Sequence, residues 1–173
     1  MSAPAITPTD TAAQVSEVVV NIADFAVASG NTVLVTAGLG SCVAVALHDP
    51  GTGIAGLAHI LLPSAGFGPP SIHPAKYADT GIPLLAEEMR RRGANQGRMV
   101  ARLAGGARMF AALLSSGINM GQRNIDATRK ALYKLGIPVV GEDIGGEYGR
   151  SVRIVSATGA MLVRSIAGGD REL

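Results

Sequence analysis

The chain holds a single cysteine, Cys42, and three histidines, and the residues around that cysteine have the types and spacing that nucleophilic chemistry needs. A thiol with an ordinary pKa of about 8.5 is mostly protonated at neutral pH, and the thiolate is the form that attacks. A neighbouring imidazole that takes the proton leaves a thiolate–imidazolium pair. His59 is spaced to be that imidazole. Thr36, at the end of a strand expected over 32–35, brings a hydroxyl that can orient the ring as the third group of a triad does. Gly38, Gly40 and Ser41 allow a tight backbone path into Cys42, with N–H groups able to face a developing oxyanion.

These residues need a scaffold that brings them together. Two short apolar runs, 43–47 and 54–62, flank Asp49-Pro50-Gly51-Thr52-Gly53, a stretch dense in turn residues. The pattern predicts a β-hairpin. Cys42 stands nine residues before Gly51 and His59 eight after it, so both fall near one end of the hairpin. Cross-strand neighbours have Cβ atoms roughly 4.5–5.5 Å apart, so a register error of one residue still leaves thiol and imidazole adjacent. Each residue also has an ordinary structural reading. A lone cysteine in an apolar run is commonly a small buried hydrophobe, a strand histidine is commonly a satisfied core or edge residue, and threonine simply favours strands.

Composition bounds the rest. With 173 residues, 47% hydrophobic and 16% charged, 23 glycines and no tryptophan, the chain reads as one glycine-punctuated, sheet-rich domain over 15–167 with an aliphatic core, a flexible tail over 1–14 and a short tail over 168–173. Fifteen basic and 13 acidic residues leave a net charge of +2. They are spread along the chain, with no aromatic platform beside them, which argues against nucleic acid as a partner. One cysteine makes no internal disulfide, and the start lacks the pattern of a signal peptide. The longest apolar stretch, 33–47, is shorter than a membrane span and broken by glycine and polar groups. The expectation is a cytoplasmic protein with no direct membrane insertion. No His/Cys cluster has metal-ligand spacing, and Gly105-Gly106 fits neither nucleotide-binding fingerprint, so no metal and no cofactor are expected and the glycines read as sites of close backbone packing.

Along the chain, 15–28 reads as one or two strands and 63–74 as a loop. Residues 82–92 read as a helix burying Leu85 and Met89, with Pro83 early and Glu87–Arg91 and Glu88–Arg92 as i,i+4 pairs. A strand is expected over 99–104. A second helix follows over 125–135, capped by Asn124 and ended by Gly136. Then come a strand over 137–140, a loop over 142–150 and a closing hairpin of 152–155 with 161–166. His48 belongs to the far end of the first hairpin as a turn residue, and His73 to a solvated loop.

Several ordered blocks carry a resemblance. They are Gly38-Leu39-Gly40-Ser41-Cys42-Val43, Leu57-Ala58-His59-Ile60-Leu61-Leu62-Pro63, Lys76-Tyr77-Ala78-Asp79-Thr80, Gly105-Gly106-Ala107 with Met109-Phe110, Gly121-Gln122-Arg123-Asn124, and the run from Glu142 to Arg150. Together they resemble the CheD family of chemoreceptor glutamine deamidases. The resemblance implies that Cys42 is the nucleophile, His59 its base and Thr36 the third member. It implies an α+β fold, a layered α/β/β/α sandwich of two mixed sheets flanked by helices, similar to CNF-type deamidating toxins. It further implies hydrolysis of glutamine side-chain amides in the cytoplasmic helical region of methyl-accepting chemoreceptors, through a thioester, and a CheC-type phosphatase as a partner that docks over the site. Ala104, Gly81 and a longer tail before Val15 depart from the family pattern and read as packing differences. Receptor methylester hydrolysis uses the same thioacyl chemistry and is the second reading. A non-catalytic chemotaxis adaptor and a cysteine protease or small-molecule amidase are the others.

Overall fold

The computed structural model describes residues 15–67, 72–109 and 119–173. The expected tail over 1–14, part of the 63–74 loop and Phe110 of the fourth family block lie outside the described residues. The chain opens with β1 (Ser16–Val19), β2 (Phe25–Ser29) and β3 (Thr32–Leu39), followed by the predicted hairpin of β4 (Val43–Asp49) and β5 (Ile54–Ile60). Helix α1 (Ala78–Arg91) and β6 (Val100–Gly105) come next, then α2 (Met120–Leu135), β7 (Val139–Ile144), and β8 (Arg150–Val155) with β9 (Met161–Ser165) and β10 (Gly169–Glu172). The strands form two five-stranded sheets. The first has the order β1-β3-β8-β9-β10 and the second β2-β5-β4-β6-β7. Each is mixed, because β1 runs parallel to β3 and β6 parallel to β7 while the other pairs are antiparallel.

Strands β4 and β5 are buried along their whole length, and their two faces differ in side-chain size. Val43, Val45 and Leu47 turn toward the helices, in one cluster with Ile82, Leu85 and Met89 of α1 and Ile125 and Leu132 of α2. Cys42, Ala44 and Ala46 turn toward the first sheet, with Ala55, Leu57, Leu34 and Ile154. Small alanines let the two sheets approach, and the branched residues fill the deeper gap under the helices. Each fully buried aliphatic side chain contributes about 1.5–3 kcal/mol. Helix α1 sits down on β5 at Gly56, where a Cβ would lie 2.6 Å from the Leu85 Cδ1 and 2.9 Å from the Met89 Sδ.

Both helices cover the second sheet, so the layers among the described residues are α/β/β and the expected helical layer over the first sheet is not among them. The outer face of that sheet carries charge instead, with Glu17 paired to Arg153 at 2.6 Å and Asp170 to Arg164 at 3.2 Å. A sheet with a polar outer face needs no cover. Residues 168–173, read from sequence as a tail, contribute β10 at its edge, and the Leu173 N–H bonds the Met161 carbonyl at 2.9 Å.

The helices also differ from their sequence reading. Helix α1 begins a turn early, which places Pro83 inside it and leaves the Asp79 carbonyl without its usual i+4 donor. Glu88 pairs with Arg92 as expected, but Glu87 takes Arg90 in place of Arg91. Helix α2 begins at Met120, capped by the Asn119 side chain, which accepts from the Gln122 N–H at 3.0 Å. Asn124 therefore lies within the helix and not at its cap. Gly136 ends the helix in the left-handed conformation at φ +68°.

The far end of the β4–β5 hairpin is pinned by Asp49. Its buried carboxylate accepts from Arg98 at 2.9 and 2.8 Å, from the Gly51 and Asn95 N–H groups at 2.9 and 2.8 Å, and from the Thr52 hydroxyl. The Arg98 guanidinium holds that carboxyl well below the usual carboxylate range. Beside it His48, expected in the turn, is a buried β4 residue whose Nε2 meets the carbonyl of Ser156, in the turn after β8, at 3.1 Å. These contacts fix the register that carries Cys42 and His59.

Candidate active site

The β4–β5 ladder pairs Ala44 with His59 and Val43 with Ile60. Extended by one residue, it sets Cys42 beside Leu61 and two positions along from His59 on the same face. That face looks into the gap between the sheets. Thr36 enters the gap from the opposite side, on β3 of the first sheet, where it pairs with Val152. All three side chains are buried: His59 is fully enclosed, Thr36 is 3% exposed and Cys42 8%.

The hydrogen bonds fix the ring's tautomer. The Thr36 hydroxyl donates to the Val20 carbonyl at 2.7 Å and lies 2.8 Å from His59 Nδ1. A hydroxyl has one proton to give. With that proton on Val20, Thr36 accepts from Nδ1–H, and Nε2 carries the ring's lone pair. Nε2 is buried with no hydrogen-bond partner among the described residues. Thr36 and His59 are thus in direct contact, while Cys42 shares their gap without a hydrogen bond to the ring. Such contacts are commonly loose before substrate arrives.

Burial sets the resting charges. It pushes the Cys42 thiol up, an effect partly offset by the residue's own backbone N–H. It pulls His59 down to about 4 from an ordinary 6.5. Both groups are therefore neutral near pH 7, and the thiolate–imidazolium pair expected from sequence is not the resting state. The low-dielectric gap disfavours separated charge, so any attack by the sulfur would have to be accompanied by movement of its proton. An imidazole that titrates at about 4 gives a testable pH dependence. The acid limb of kcat/KM should fall near pH 4, and a half-loss near 6.5 would contradict this environment. The unfolded imidazole binds its proton at the higher pH, so this group's contribution to stability is lost as pH falls from 6.5 to about 4.

The backbone around Cys42 is held as tightly as the side chains. Thr36 pairs with Val152 but Leu39 with Arg150, so β3 carries one extra residue, a bulge with Gly38 at φ +74°. The bulge lets Thr36 and Leu39 both point inward. The Cys42 carbonyl accepts from the Gly106 N–H at 2.7 Å and the Gly40 carbonyl from Ala107 at 2.8 Å. The Ser41 and Cys42 N–H groups have no backbone carbonyl partner among the described residues. Close packing, as expected, explains the glycines. A Cβ on Gly105 would lie 2.3 Å from the Cys42 oxygen, and one on Gly121 2.3 Å from the Gly106 oxygen. Gly105 also sits at φ +107°. Gly105→Ala should destabilise the fold by about 3 kcal/mol or more, read as a lower denaturant midpoint. A change under about 0.5 kcal/mol would show that the loop yields freely.

Two side chains that the sequence reading named only as a helix cap or within a family block brace the site. Asn124, fully buried on α2, donates from Nδ2 to the Ser41 carbonyl at 2.8 Å and the Leu61 carbonyl at 3.1 Å. Its signal was its place on the inward stripe with Gly121, Ile125, Thr128 and Leu132. Arg150 of β8 closes the two sheets at the Cys42 end. It donates to Asp143 of β7 at 3.1 and 2.9 Å and to the Gly145 and Tyr148 carbonyls, and it stacks over the Tyr148 ring. Glu142 pairs with Arg129 at 2.6 Å. Among the described residues no group of three or more His, Cys, Asp or Glu side chains is gathered as a metal site requires.

Fold and site together define an α+β protein in which a thiol, an imidazole and a hydroxyl are enclosed between two mixed sheets. The family model described as CheD chemotactic sensory transduction matches residues 61–165. The chain is 47% identical over 151 residues to the probable chemoreceptor glutamine deamidase CheD of Caldanaerobacter subterraneus subsp. tengcongensis, covering 87% of this chain and 93% of the relative. It is 43% identical over 153 residues to the chemoreceptor glutamine deamidase CheD of Thermotoga maritima, covering 88% and 94%. It belongs to the CheD family. The solved structure of the Bacillus licheniformis hypothetical protein YfiH aligns with a TM-score of 0.39 at 16% identity over 68% of this chain and 50% of that one, a likeness too loose to bear on function.

Proposed function

We propose that the protein is a chemoreceptor glutamine deamidase in which Cys42 is the nucleophile, His59 the proton carrier and Thr36 the group that orients the ring. The hydrogen bond from His59 Nδ1 to Thr36 carries this reading, because it leaves Nε2 buried with a free lone pair on the face it shares with Cys42. Sulfur forms a bond to the glutamine Cδ as its proton passes to Nε2, and the carbonyl π pair moves onto oxygen, held by backbone N–H groups near Cys42. Collapse of this adduct breaks the C–N bond, and the proton on His59 leaves with ammonia. A thioester remains. Water, giving a proton to Nε2, attacks it and restores the thiol with release of glutamate. Each turnover adds one negative charge to the receptor, the kind of local electrostatic change that biases a two-state signalling protein.

The substrate glutamines, in this reading, lie in the receptor's cytoplasmic helical region, so the protein works in the cytoplasm, and a CheC-type phosphatase docking over the Cys42 end would close the site. Among the described residues no helix is long and apolar enough to cross a membrane. The test is incubation of a receptor cytoplasmic fragment with the protein and with protein alkylated at Cys42, its one thiol, followed by peptide masses. Conversion of particular glutamines to glutamate by the free-thiol form alone is the expected result. Loss of methyl groups from receptor esters would instead favour the methylesterase reading, cleaved peptide bonds a protease, and an unchanged receptor an adaptor.

A further inference from the structure

The two ends of one peptide group point in opposite directions, so a protein that grips a peptide's carbonyl also aims its N–H. The Ser41–Cys42 peptide is gripped in this way. Asn124 reaches from α2 and donates to the Ser41 carbonyl at 2.8 Å, and the same Nδ2 donates to the Leu61 carbonyl at 3.1 Å. The second bond ties down the residue that faces Cys42 across the hairpin. With two carbonyl oxygens as partners, the amide can present only its nitrogen to them. On the far side of this peptide the Cys42 N–H has no backbone carbonyl partner among the described residues. The following peptide is held as well, by the Gly106 N–H on the Cys42 carbonyl at 2.7 Å.

We propose that Asn124 is a positioning residue for acyl transfer: by holding the Ser41 carbonyl from the helix side, it fixes the Cys42 N–H as the donor that meets the amide oxygen when that oxygen becomes negative. This rests on the deamidase function proposed above. Asn124 touches neither the thiol nor the ring through a hydrogen bond, so its effect is confined to the step in which an oxyanion forms. A hydrogen bond into the Ser41 oxygen also polarises the peptide and strengthens its N–H as a donor.

The test compares wild-type protein with Asn124→Ala and with Asn124→Leu, which keeps most of the side-chain volume, using whichever variant retains the wild-type circular dichroism. Two rates are read: deamidation of a receptor fragment, and alkylation of Cys42 by iodoacetamide, a displacement that forms no oxyanion. Loss of an oxyanion donor costs about 10²–10³ in kcat, and a donor left in place but free to swing should cost less, about tenfold to a hundredfold. The expected result is that loss in kcat, with KM and the alkylation rate each within about threefold of wild type. Unchanged kcat would overturn the proposal, and so would a parallel fall in both rates, which would place Asn124's effect on the thiol. A wild-type protein that alkylates but leaves the receptor's glutamines intact would overturn the proposed function itself, a result separate from any effect of Asn124.

Discussion

Cys42→Ser should abolish deamidation, lowering kcat by about 10⁴-fold or more while the fold and receptor binding persist. The exchange keeps the shape of the side chain and its place beside Ala44 and Leu57, so packing does not explain a loss. What changes is the proton. A hydroxyl is far less acidic than a thiol, and the base beside it is a buried imidazole held down to about 4. Such a weak base can relieve a thiol of its proton during attack but not the far less acidic serine hydroxyl. Removing a nucleophile alone costs about as much as removing an entire triad. Measured by ammonia release from a receptor fragment, a serine variant within about a hundredfold of wild type would show that the sulfur is not the attacking atom.

Thr36→Val should lower kcat by about a hundredfold to a thousandfold with KM nearly unchanged, the range expected when a general base loses its correct form. Valine matches threonine in shape but cannot accept from Nδ1–H. The imidazole is then free to carry its proton on Nε2, the tautomer without a lone pair on the side it shares with Cys42. The Val20 carbonyl also loses its donor, for a stability loss of about 1–3 kcal/mol. Thr36→Ser keeps the hydroxyl and should recover most of the rate. A valine variant with kcat within about threefold of wild type would show that the hydroxyl serves only the Val20 carbonyl.

The sequence exposed the hairpin because its signals are local. Asp49 to Gly53 is turn chemistry, the flanking runs are apolar, and the count from the turn to Cys42 and His59 needs no tertiary knowledge. The remaining differences depend on distant partners. Gly121 and Asn124 look like a helix boundary until Gly106 and Ala107 are seen against Gly121, where only a glycine leaves room for their carbonyls. The parallel pairing of β1 with β3, and β10 at the other edge of that sheet, leave no periodic mark in four-residue strands. Spacing brought thiol and imidazole to one place but was silent on burial, and burial is what keeps both neutral at rest.

The hydroxyl that orients the ring belongs to one sheet, and the ring and the thiol belong to the other. The proposed chemistry asks two separately hydrogen-bonded slabs to stay in mutual alignment across an interface that alanines line on one side, where packing, the His48–Ser156 bond and the Arg150 clamp oppose sliding. A small slip would leave every ladder of strands whole and still part the threonine from the histidine. Turnover in such a molecule is a more sensitive gauge of how the slabs sit together than any measure of its secondary structure.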